Sequence, residues 1–210
     1  MVSARGESDE QRSRRTLLLA GMGAGLGLAG ASLLAVAAEL KPRVKISFAD
    51  KPAQQGDRLV YAQGAHQRQI IAAADVPTGG PLVLAWPMDP KNETIRNANP
   101  HNIILLVRAA ADSWFTDAER KHTAARVAAY AATCTHLCCT VSDWVPRPQG
   151  GDPHGYLLCP CHRSHFDPWD GARVLSGPAP RPLPILPIEL GPKGELVVRS
   201  GFLTTVGCQA

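Results

Sequence analysis

Cys134-Thr135-His136-Leu137-Cys138-Cys139 and Cys159-Pro160-Cys161-His162-Arg163-Ser164 are the two stretches on which the reading of this chain turns. Taken as ligand pairs, Cys134 and His136 stand two residues apart, and Cys159 and His162 three apart. A knuckle-like turn at each place aims both side chains of a pair at one metal centre. Two thiolates and two imidazoles suit zinc in a tetrahedral Cys2His2 site, or an iron–sulfur cluster with mixed ligation, and composition does not choose between them. Each stretch also holds a further cysteine, Cys139 and Cys161, at what reads as a matching place beyond its ligand pair. In an exported protein a Cys139–Cys161 disulfide would clamp the two loops together. Closing a loop of about 22 residues is worth roughly 3 kcal/mol in the chain-entropy model. Zinc knuckles seldom need such a staple.

Around these loops the chain is that of a turn-rich globular domain. Of 210 residues, 45% are hydrophobic but only 5% aromatic, and there are 19 Gly and 18 Pro. That excess of turn formers points to β rather than helical structure. The formal net charge is +4, and the body of the chain has no basic run to follow a phosphate backbone, which argues against nucleic-acid binding. Short apolar runs alternate with turn signals: Leu59–Ala62, Pro81–Trp86, Ile103–Arg108, Arg126–Ala132, Tyr156–Leu158, Leu183–Leu190 and Glu195–Arg199. Thr116-Asp117-Ala118-Glu119 has the form of a capping box and predicts one short helix near residues 117–123. The sum is an all-β, antiparallel domain of about 160 residues with no internal repeat.

The N-terminus reads separately. Residues 1–15 are polar, and Thr16 to Ala38 carry no charge. As a helix, 23 residues would extend about 34 Å, enough for a hydrocarbon core of about 30 Å, so 16–38 is expected to be a transmembrane anchor. Ala35-Val36-Ala37 has the small-x-small form of a processing site, so a cleaved signal peptide is the competing reading. Ser13-Arg14-Arg15-Thr16-Leu17-Leu18 resembles a twin-arginine export signal without its usual Lys. Arg excess before the span puts the N-terminus inside and residues 50–210 outside, on the periplasmic or extracytoplasmic face of the cell membrane. Residues 39–49 read as a hinge, broken by Pro42.

The pattern C-T-H-L-x-C followed by C-P-C-H-x-S resembles the signature of Rieske [2Fe–2S] proteins, in which two His replace two Cys on one iron. The resemblance implies a Rieske-type β-sandwich with a small cluster-binding subdomain at about 133–182 and one [2Fe–2S] cluster per chain. It implies that Cys134 and Cys159 bind the inner iron, that His136 and His162 bind the outer iron, and that Cys139–Cys161 is the disulfide. Gly177-Pro178-Ala179-Pro180-Arg181-Pro182 resembles the proline loop that covers the cluster in the quinol-oxidising branch. Ser164 resembles the residue that donates to a bridging sulfide. Phe166 stands where many quinol-oxidising relatives have Tyr, and Cys138 where Gly is usual.

The implied role is the iron–sulfur subunit of a cytochrome bc-type quinol–cytochrome c oxidoreductase. In that role the head takes electrons from membrane quinol beside a cytochrome b-type subunit, contacts quinol through His162 as proton acceptor, and passes electrons to a c-type cytochrome. Without the Tyr hydroxyl the potential is expected to be low, suited to menaquinol. Two other classes compete: a Rieske small subunit of a periplasmic molybdenum oxidase such as arsenite oxidase, and a structural zinc module. Cys208 is expected either to pair with Cys138 or to stay free. His66, His101, His122 and His154 are expected at the surface, His165 flanks the ligand loop without matching a ligand position, and Trp114, Trp144 and Trp169 are read as packing residues.

Overall fold

Strands β4 (Ile104–Arg108) and β5 (Val127–Ala131) explain the architecture, because between them only Arg108 is polar. Successive side chains of a strand point to opposite faces, so a continuous apolar strand needs a core on each side. Both cores exist. Ile104, Leu106, Val127 and Ala129 enter one, with Leu59, Ile71, Leu186 and Leu196. Leu105, Val107, Ala128 and Tyr130 enter the other, with Leu157, Phe166, Trp169, Cys134 and Cys159. The register Leu105↔Tyr130 and Leu106↔Ala129 keeps the two sets on opposite faces. Each Leu or Ile removed from water here contributes about 1.5–3 kcal/mol.

The computed structural model describes Thr16, residues 47–146 and residues 154–208. The polar leader, the twin-arginine motif and the expected span at 16–38 (Thr16 aside) lie outside the described residues, as does the hinge up to residue 46. Among the described residues no helix is long and apolar enough to cross a membrane. The chain divides into two units, Met1–Lys45 and Ile46–Ala210, and the fold is that of the second.

The larger sheet adds β1 (Arg58–Tyr61), β2 (Val83–Asp89), β3 (Thr94–Ile95), β10 (Ile188–Leu190) and β11 (Leu196–Val198) to β4 and β5. Its order is β10-β11-β1-β2-β4-β5, with β3 on β2, and every pairing is antiparallel. The smaller sheet is β6 (Asp143–Val145), β7 (Tyr156–Leu158), β8 (His165–Asp167) and β9 (Arg173–Ser176), antiparallel in that order. Leu157 and Phe166 carry it into the core beneath β5. The fold is thus all-β and antiparallel, with the second sheet inserted between β5 and β10.

Helix α1 (Asp117–Arg120) forms where the capping box predicts it: Thr116 Oγ1 accepts the Glu119 N–H at 3.3 Å. The turn-separated runs become strands, with Leu183–Leu190 contributing only β10. Strands β3, β6, β8 and β9 lie outside those runs. They have two to four residues each, too short and too polar for a period-2 signal.

The stretch 47–57 enters the head under a buried clamp. The Arg96 guanidinium donates to both carboxylate oxygens of Asp57 at 2.7 and 3.0 Å, to Gln54 Oε1 at 3.1 Å and to the Phe48 carbonyl at 3.1 Å. Asn102 donates to the Lys51 carbonyl at 2.7 Å.

Candidate metal centre

Both Cys/His stretches close in the same way. In the first, Cys134 N–H donates to the Cys139 carbonyl at 2.8 Å and Cys138 N–H to the Cys134 carbonyl at 3.1 Å. In the second, Cys159 N–H donates to the Ser164 carbonyl at 2.9 Å and Arg163 N–H to the Cys159 carbonyl at 3.0 Å. Each turn ends on a residue in the left-handed region, Cys138 at φ 58° and Arg163 at φ 59°. Glycine is the usual occupant of such a position because it has no Cβ, which is the physical sense of the departure at Cys138. The first loop leaves β5, and the second is the β7–β8 connection.

Superposed by these bonds, the further cysteines do not match. Cys139 stands at the sixth position of its turn, opposite Ser164, and Cys161 at the third, opposite His136. The expected matching place is corrected. The disulfide joins unlike positions, and Cys139 and Cys161 are bonded all the same. A second disulfide, Cys138–Cys208, joins the first loop to the C-terminal tail.

The remaining cysteines, Cys134 and Cys159, are free and each only 1% exposed. Burial pushes the Cys134 thiol up. It is held down in part by donation from the His136 backbone N–H and the Ser164 hydroxyl, while the neighbouring Cys159 raises it further. The imidazoles stand above, with ring centroids 4.7 Å apart and planes at 89°. His162 is exposed and His136 half-buried. His136 Nδ1 is buried without a hydrogen-bond partner, a cost that a native fold seldom leaves unmet. Two buried thiols and an orphaned ring nitrogen fit a metal group that displaces the thiol protons. Cys139, Cys159 and Cys161 sulfurs lie within 4.8 Å of one another, but two of them are spent in the disulfide, which therefore lies directly against the Cys159 thiol.

The segment 177–182 covers the loops. At Gly177, φ is 91°, and a Cβ there would stand 2.6 Å from Ser164 Cα and 2.8 Å from the Arg163 carbonyl. Only glycine permits that approach. Ala179 N–H donates to Ser164 Oγ at 3.1 Å, and Thr135 Oγ1 donates to the Arg181 carbonyl at 2.7 Å. One proline segment thus holds both loops. Ser164 Oγ accepts from Ala179, and its hydroxyl is among the influences that lower the Cys134 thiol. Phe166 is fully buried in the core that contains Cys134 and Cys159.

Of the lone histidines, His66 is exposed, but His101, His122 and His154 are half-buried, which corrects the surface expectation for those three. His154 packs on Trp114 with centroids 3.9 Å apart, and Trp114 and Trp144 both stand edge-on to Trp169. Aromatic surface of that size is what draws an imidazole inward. His165 stacks on Tyr156, and its Nδ1 meets the Ser176 hydroxyl at 2.9 Å.

Residues 86–187 match the Rieske [2Fe-2S] domain. A protein of Haloferax mediterranei described as a respiratory nitrate reductase Rieske subunit is 40% identical over 103 residues, 49% of this chain and 43% of that one. The cytochrome bc1 complex Rieske iron-sulfur subunit of Streptomyces lividans is 32% identical over 139 residues, 65% of this chain and 78% of that one. The soluble domain of Rieske protein II from Sulfolobus acidocaldarius aligns with a TM-score of 0.37 at 23% identity, over 51% of this chain and 65% of that one. With paired Cys/His loops on an all-β domain, the family match selects an iron–sulfur protein over a zinc module. The chain belongs to the Rieske [2Fe-2S] family, and it is an electron carrier that binds a [2Fe-2S] cluster.

Proposed function

We propose that Cys134 and Cys159 hold the inner iron, that His136 and His162 hold the outer one, and that the chain carries electrons from membrane quinol to a c-type cytochrome beside a cytochrome b-type subunit. The observation that carries this reading is the burial gradient: two thiols 1% exposed, an orphaned His136 Nδ1, and an exposed His162. When bound, the cluster supplies one-electron chemistry. His162, at the solvent side, is the residue to accept a hydrogen bond from quinol and hold its proton on the outward ring nitrogen. Leu137, 61% exposed at the tip of the first loop, offers an apolar surface for the quinol ring. On this reading residues 16–38 anchor the chain, and the head stands on the outer side of the membrane.

The test is metal analysis with EPR of the full chain. About two iron and two acid-labile sulfide per chain are expected, with an average g in the reduced state below that of all-Cys clusters. Stoichiometric zinc without sulfide would end this reading. The similarity to a nitrate reductase Rieske subunit favours a second one, in which the partner is a molybdenum oxidoreductase subunit rather than a quinol site. Reduction of the cluster in membranes that persists in the presence of a quinol-site inhibitor would select it.

Donors to the ligand sulfurs stabilise the reduced state, with its extra negative charge. On this reading Ser164, whose hydroxyl lowers the Cys134 thiol, is such a donor, and Phe166 has none. At about 1–2 kcal/mol per bond to a charged group, Ser164→Ala should lower the midpoint and Phe166→Tyr raise it, each by roughly 40–90 mV. A low wild-type midpoint would suit menaquinol. Redox titration of the three chains checks this; an unmoved midpoint in Ser164→Ala would count against the bond.

A further inference from the structure

Two adjacent cysteines of the first loop are bonded in different directions. Cys139 reaches the second loop through Cys161, and Cys138 reaches the C-terminal tail through Cys208. Cys138 is also the left-handed residue that closes the turn, its N–H on the Cys134 carbonyl. A residue with a Cβ holds that conformation at a cost that contacts around it can offset. Here the tail does so. Cys208 N–H donates to Cys138 Sγ at 2.8 Å. One residue earlier, the Gly207 carbonyl accepts from the Arg181 guanidinium at 2.7 Å, and the Arg181 carbonyl accepts from Thr135 Oγ1 at 2.7 Å. The circuit Thr135–Arg181–Gly207–Cys208–Cys138 therefore begins and ends on the loop that bears His136. Gly207 is buried beneath the His101 ring, at φ 121°, and Leu203 N–H is bonded to the Ile185 carbonyl at 3.0 Å, so the tail is itself seated on the body of the fold.

We propose that Cys208 is a positioning residue of the metal centre: through Cys138 it makes the tail segment Leu203–Cys208 a strap that holds the His136 loop in its left-handed closure. This rests on reading that loop as a ligand loop. Cys139–Cys161 holds the loop to its partner loop, and the strap holds it from the side of the proline segment. With the strap released, Cys138 loses its outside support, and the first loop opens while the second, whose Arg163 has no such tie, is unaffected.

The test compares Cys138→Ser/Cys208→Ser with Cys138→Gly/Cys208→Ser, both of which remove the two cysteines together and so add no free thiol to those of Cys134 and Cys159. In the Ser pair, amide hydrogen exchange at residues 135–139 of the metal-free chain should accelerate by about tenfold or more, with residues 160–164 unchanged. In the loaded chain the midpoint potential and reduced-state g values should shift. Glycine at 138 takes the left-handed conformation without support, so the Gly pair should return all three readouts toward wild type. A Ser pair that matches wild type in exchange, midpoint and g values would overturn the proposal. A wild-type chain lacking iron and sulfide would instead overturn the cluster reading, and the exchange comparison on the metal-free chain would still test the strap.

Discussion

Replacing Arg96 with leucine should lower the stability of the head by about 3–5 kcal/mol, a fall in Tm of about 10 °C or more for a unit of this size. Arg96 is 1% and Asp57 2% exposed, and the pair is bidentate. Leucine leaves the Asp57 carboxylate buried with no cation bonded to it and only the neutral Gln54 N–H, which it already accepts from at 2.8 Å. It also strips a donor from the Phe48 carbonyl and from Gln54. The cost arises mainly from the stranded charge rather than from the lost attraction. Removing both charges, as Arg96→Met with Asp57→Asn, should therefore cost clearly less than Arg96→Leu alone. Thermal unfolding of the three chains checks this ordering; a double variant as unstable as the single one would refute it. Because the clamp ties residues 48–57 to the β2–β3 region, the single variant should also free that segment for proteolysis before the loops at 134–139 and 159–164 loosen.

The second large effect is pH-dependent and centres on Glu119. Tyr130 OH stands 2.8 Å from Glu119 Oε1 and 2.7 Å from the Pro168 carbonyl. A phenol has one hydrogen and cannot serve both. When it goes to Pro168, the contact with Glu119 requires a protonated carboxyl that donates to the phenol oxygen. Burial, the main cause, raises this carboxyl to about 7; Tyr130 works against the rise when its proton turns to Glu119, and Asp170 adds to it. The unfolded chain ionises near the ordinary value of 4.5. A raised folded-state value means that this contribution is complete below pH 4.5 and is lost as pH rises through 7. Between pH 4 and pH 8.5 the loss should reach about 3 kcal/mol. Glu119→Gln keeps a donor for the phenol and has no proton to lose, so the stability difference between wild type and this variant should change by that amount across the range. Urea unfolding at the two pH values measures it. A difference constant with pH would show that folding leaves the Glu119 ionisation unshifted.

Neither Arg96 nor Glu119 is visible as special in the sequence. Arg96 sits in a polar stretch between Asn92 and Asn99, and Glu119 appears only as the last residue of a capping box. Their burial follows from partners 39 and 11 residues away, which no local pattern encodes. The metal centre is the opposite case. Ligand chemistry confines its residue types, and a metal ion confines their spacing, so Cys134, His136, Cys159 and His162 could be proposed as ligands before any fold was known.

The sequence alone thus determined the residues offered as ligands and the β character of the head, because each is written in local spacing or in alternation of residue type, while the family and the Cys139–Cys161 pairing came from the resemblance those motifs carry. Tertiary structure decided the rest. It revealed that Cys138 is bonded to Cys208 across 70 residues, that the two loops share one backbone closure with the further cysteines at unlike places, and that Ser164 Oγ accepts from the proline segment at Ala179. It also showed why β4 and β5 are apolar but for Arg108, with a core on each face. Pairings of that separation are chosen by which surfaces the folded chain brings together, and a linear pattern holds no record of them until the strands have packed.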